Sequence, residues 1–100
     1  MNPKQVYKAV NYYPKALTKS RRPEYVKQRV FISMILRQYD YTFKSIAEFL
    51  GMNDHTSIMY YEYIFGMKRK DEKYQLEFKM FKLQFESLAK LGIVTGKLYS

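Results

Sequence analysis

Residues 45–61, SIAEFLGMNDHTSIMYY, read as a helix, a sharp break and a second helix that opens on small polar side chains. Gly51 marks the break, because glycine takes the left-handed conformation at a helix end at little cost. Before it, Phe43, Ile46, Ala47, Phe49 and Leu50 give a short helix its apolar positions, and Thr42 stands where an N-cap belongs. After it, a helix starting at Asn53 or Asp54 and running to about Phe65 turns Ile58, Tyr61 or Met59, and Ile64 or Phe65 inward. The expected element is a helix-turn-helix over about residues 42–66.

The polar opening of the second helix has two explanations. Four amides at a helix start have no partner within the helix, and a capping side chain there contributes about 1 kcal/mol. That accounts for Asn53 or Asp54 and leaves His55, Thr56 and Ser57 unexplained. A helix whose N-terminus enters the major groove of DNA needs short polar groups at that end. A carboxylate accepts from base amino groups, an imidazole donates or accepts, and a threonine touches the thymine methyl.

Outward from this centre the chain stays helical in pattern. Upstream, Pro23 is placed to open a core helix, Pro23 to Tyr39, with Tyr25, Val26, Val30, Phe31, Met34 and Ile35 at helical spacing. Before it lies a basic connection with Lys15, Lys19, Arg21 and Arg22, and before that a short helix is expected from Val6 to Tyr13. Downstream, Gly66 and the charged run Lys68 to Lys73 mark a bend. Tyr74, Phe78, Phe81, Phe85 and Leu88 then alternate steps of four and three, so a long amphipathic helix is expected over about residues 71–91. Its aromatic stripe is expected to be core, with any surplus face open to a second copy or another protein. The expectation is therefore one all-α domain over residues 1–100, a compact helical unit with a central helix-turn-helix and a long C-terminal helix.

Composition narrows the partners. Eighteen Lys and Arg against nine Asp and Glu give a net charge of +9, which favours a polyanion. The charge is segregated: residues 1–37 hold nine basic groups and one acidic, residues 38–67 one basic and four acidic, and residues 68–100 eight basic and four acidic. No apolar run approaches the roughly 18 residues of a membrane span, and the N-terminus lacks the apolar middle of a signal peptide. A cytoplasmic location without membrane association is expected. The chain has no cysteine and one histidine, His55, so neither a metal site nor a catalytic pair is expected, and no cofactor. An enzyme is not expected.

Leu50-Gly51-Met52-Asn53-Asp54-His55-Thr56-Ser57-Ile58 resembles the DNA-binding C-terminal domain of the bacterial replication initiator DnaA, whose signature sets an apolar residue and glycine before an Asp-His-Thr run. Arg21-Arg22, followed by Val26 and Arg29-Val30-Phe31, is similar to that family's basic loop and the long helix after it. The resemblance covers about half of the chain, from Lys19 to Phe65. It implies that Asp54, His55 and Thr56 contact base edges in the major groove, with Ser57 on a base or phosphate beside them. It implies minor-groove entry by Arg21 or Arg22, with Lys19 beside them, and backbone contacts from Lys44 and Asn53. The chain departs from the pattern at Met52 and Asn53, where the family has glycine and a basic residue, and at or near Tyr61, where a small residue is usual. It also has no GxxxxGK[ST] phosphate loop, so the expectation is a stand-alone DNA-binding module without ATPase chemistry.

Two functions follow as expectations. The first is a sequence-preferring binder of double-stranded DNA in replication control or transcription regulation. The second is a protein-interaction module that titrates initiator partners or dimerises through the C-terminal helix.

Overall fold

Local rules place each helix end. In the computed structural model, which describes residues 1–99 with side chains through Lys90, α1 spans Pro3–Val10, α2 Pro23–Gln38, α3 Phe43–Phe49, α4 Thr56–Met67 and α5 Glu72–Tyr99, with a 3₁₀ turn at Pro14–Leu17. There is no strand among the described residues. Pro23 opens α2 as expected, and the Thr42 hydroxyl caps α3 by accepting the Ser45 N–H at 3.1 Å. Both α2 and α3 end in the same turn. Gly51 (φ +67°) lets its own N–H reach the Glu48 carbonyl and the Met52 N–H reach the Ala47 carbonyl. Asp40 (φ 66°) does the same after α2, with the Asp40 N–H on Arg37 and the Tyr41 N–H on Leu36. Aspartate tolerates this left-handed position better than most residues.

Three boundaries differ from the sequence expectation. The first helix lies three residues earlier than Val6 to Tyr13, because Asn2 and Gln5 cap its start reciprocally at 2.9 Å and Pro3 sits in its first turn. The second helix of the helix-turn-helix begins at Thr56, not at Asn53 or Asp54, and continues through Gly66 to Met67. Its delay follows from Asp54, whose carboxylate turns forward to accept the Thr56 N–H at 2.8 Å. The C-terminal helix starts where Asp71 accepts the Tyr74 N–H at 3.0 Å, and its backbone stays helical beyond residue 91, to Tyr99.

Packing follows the apolar stripes. Helix α2 supplies the centre, with Val30, Phe31, Ile32, Met34, Ile35 and Leu36 all buried. Ile46, Leu50 and Ile58 close the helix-turn-helix against it, and Phe78, Phe85 and Ala89 bring α5 onto α1 and α2. Aromatic edges join these layers: Phe31 meets Tyr74, Phe78 and Phe81 at 5.2–5.4 Å between ring centres. The aromatic stripe of α5 is thus core. The radius of gyration, 13.3 Å, matches the roughly 13 Å of a compact domain this long. The opposite face of α5 leaves Leu76, Met80 and Leu83 exposed.

Tyr13 gives the core a pH dependence. Its ring is buried against Phe81 at 4.7 Å and Phe85 at 6.1 Å, and its hydroxyl donates to Gln84 Oε1 at 3.1 Å. Burial pushes the phenol from 10.0 up to about 12. Below pH 10.0 both folded and unfolded chains keep the proton, so the full stability is present. Between there and about 12 only the unfolded chain loses it, and stability falls by at most roughly 2 to 3 kcal/mol. Urea midpoints measured across that range should drop more steeply in the wild type than in Tyr13→Phe.

Candidate nucleic-acid interface

The Schellman turn at Gly51 leaves Met52 packed against the core and projects Asn53, Asp54 and His55 outward. Thr56 is exposed and Ser57 is half-buried in the first turn of α4. The Thr56 amide, then the Thr56 side chain, hold the Asp54 carboxyl below its ordinary value. Asp54 therefore holds the Thr56 amide as an anion and remains acceptor-only, able to receive an amino hydrogen from outside. His55 carries no capping bond, so its imidazole is not committed to the helix end.

The basic loop stands beside this helix start. Local bonds shape it: the Thr18 hydroxyl donates to the Lys15 carbonyl at 2.8 Å, and the Thr18 and Ser20 hydroxyls accept the Ser20 and Arg22 N–H groups at 3.3 and 3.2 Å. A cleft of about 310 Å³ separates loop from turn, and Lys19, Arg21, Asn53, Asp54 and Ser57 all line it. Five of the nine residues picked out in the sequence thus share one concavity. His55 and Thr56 are exposed at its edge in sequence and are not among its lining. Arg22 lies instead against the Tyr25 ring, 5.9 Å from its centre, and Lys44 is exposed in the first turn of α3. Neither lines the cleft.

Comparison with family models, with curated proteins and with solved structures finds no match for this chain.

Two residues that sequence analysis did not place in the interface form the back of the cleft. Arg29 is buried, 5 % exposed, and Tyr61 is 7 % exposed. The Arg29 Nε donates to the Tyr61 hydroxyl at 3.0 Å. A usable signal existed for Arg29, a charge inside an apolar helix face.

The larger groove of about 650 Å³ lies elsewhere, between α2 and α5, lined by Glu24, Lys27, Phe31, Glu77 and Phe81 among others. Its Lys27 is already paired with Glu77 at 2.7 Å, so it presents no cationic surface. Among the described residues no group of three or more acidic or histidine side chains is placed to hold a metal ion, and no helix is long and apolar enough to cross a membrane.

Proposed function

We propose that this protein binds double-stranded DNA with sequence preference, in replication control or transcription regulation. The first turn of α4 enters the major groove and the Lys19–Arg22 loop the adjacent minor groove. Asp54, His55 and Thr56 read base edges, Ser57 takes a base or phosphate beside them, and Asn53 and Lys44 contact the DNA backbone. The observation that carries this reading is the shared cleft: a cationic loop and a polar helix start, 30 or more residues apart in sequence, line one concavity. The charge of +9 and the DnaA-like run Asp54-His55-Thr56-Ser57 support it.

Selection of bound duplexes from a random pool, followed by competition on selected and scrambled duplexes, tests the reading. His55→Ala or Thr56→Ala should cost about 1 to 3 kcal/mol on the selected site and much less on scrambled duplex, where phosphate contacts persist. Equal losses on both would remove direct base readout. The exposed strip Leu76, Met80 and Leu83, 58–67 % accessible on α5, favours the second reading, a protein-interaction module working through that helix. A chain that selects no duplex would point there.

A further inference from the structure

Arg29 is a buried cation that forms no ion pair among the described residues. Among the described residues the ion pair is Lys27 with Glu77, and every bond of Arg29 goes to a neutral oxygen. Arginine does not lose its proton in a protein, so the charge stays, and burying it is costly unless its donors are satisfied. Each of its three nitrogens finds an acceptor. Nη1 donates to the Thr18 carbonyl at 2.7 Å, Nη2 to the Ser20 carbonyl, and Nε to the Tyr61 hydroxyl at 3.0 Å. The rigid fork grips the loop on both sides of Lys19, and the third bond holds α4.

The other hydrogen bonds of residues 18–22 run within the loop or to its own flanks and shape it without tying it to the helix-turn-helix. Tyr61 stands one turn beyond Ser57 on the cleft-facing side of α4, and both line the cleft. A shift of the loop relative to α4 must therefore break a bond to a buried guanidinium. An apolar side chain at position 29 would fill the space and hold neither carbonyl.

We propose that Arg29 and Tyr61 are positioning residues that lock the minor-groove loop in fixed phase with the recognition helix, so that the protein reads one composite duplex site whose two parts have a fixed spacing. This rests on the DNA-binding reading above. Neither residue touches DNA in this scheme. Adding one base pair between the two parts displaces them by about 3.4 Å and turns them by about 35°. A loop locked to α4 cannot follow that change, whereas a loop held only at its ends can.

The test uses the intact chain, the duplex it selects from a random pool, and the same duplex with one base pair inserted between the core and the flank at which Arg21→Ala/Arg22→Ala loses preference. The wild type should lose about tenfold or more in affinity on the lengthened duplex, the equivalent of roughly one bidentate base contact. In Arg29→Gln and Tyr61→Phe that penalty should shrink to about threefold or less, and backbone ¹⁵N order parameters of Lys19 to Arg22 in the free protein should fall. Tyr61→Phe keeps the ring and its packing, so it reports on the bond where Arg29→Gln fails to fold. A residue that merely stabilises the fold would lower affinity for both duplexes alike. An undiminished spacing penalty in folded Tyr61→Phe, or unchanged loop order parameters, overturns the lock while DNA binding stands. A wild type that prefers no duplex overturns the DNA reading and this inference with it.

Discussion

Phe85→Ala should destabilise the domain by about 3 to 5 kcal/mol, the range for emptying a fully buried aromatic site. Phe85 is completely inaccessible and stacks near-parallel on Tyr13 and Phe81, 6.1 and 6.5 Å between centres. Its removal leaves a void between α5 and Tyr13 in the turn after α1, and elements packed on both sides collapse poorly into such a space. Domains of this size are typically stable by only about 5 to 15 kcal/mol, so the loss is a large share of the whole. Leu83→Ala, two residues away on the exposed face, should stay within about 0.5 kcal/mol. Urea denaturation of the two variants makes the comparison. Equal, small shifts would mean that α5 does not seat its aromatic stripe in the core.

Affinity for the selected duplex should fall steeply with salt, with a log-log slope of roughly −4 to −5 if about five phosphates are neutralised. Between about 50 and 200 mM salt this amounts to a loss of several hundredfold. Lys19, Arg21, Arg22 and Lys44 are exposed and make no ion pair among the described residues, so each is free to displace a counter-ion condensed on a DNA phosphate. The fold should not follow the same trend. Its Lys27–Glu77 pair is about two-fifths exposed on both sides and contributes about 1 kcal/mol at most. Fluorescence anisotropy titrations at several salt concentrations measure the slope, and a flat response would contradict a phosphate-contacting surface.

The sequence was most legible where the cause of structure is local. Thr42, Gly51, Pro23 and the alternation from Phe78 to Phe85 each act within a few residues, and the helices lie where those signals put them. The start of α4 was placed two or three residues early, because Asp54 and Asn53 are both good caps and only the bond formed, Asp54 to Thr56, decides between them. The end of α2 offered no glycine to announce the left-handed Asp40. Asp54, His55, Thr56 and Ser57 could be listed from the sequence, yet which of them share the cleft with the basic loop could not. The bonds of Arg29 reach 9 and 11 residues back and 32 forward, to two carbonyls and a phenol that no periodicity brings together.

The seating of α1 on α5 also orders the folding reaction. Helices α1 and α5 pack together from the two ends of the chain, and just past α1 Tyr13 meets Gln84 across 71 residues, whereas α2, α3 and α4 meet their neighbours over short loops. Closing a long loop costs entropy before any contact repays it, so the helix-turn-helix should assemble early on α2, with α1 and α5 docking after the rate-limiting step. Phe85 then gains its contacts late, and its loss should appear as faster unfolding with a nearly unchanged folding rate in stopped-flow measurements, whereas Ile46→Val should slow folding itself. The half of the molecule that carries the helix-turn-helix would thus be the half that takes shape first.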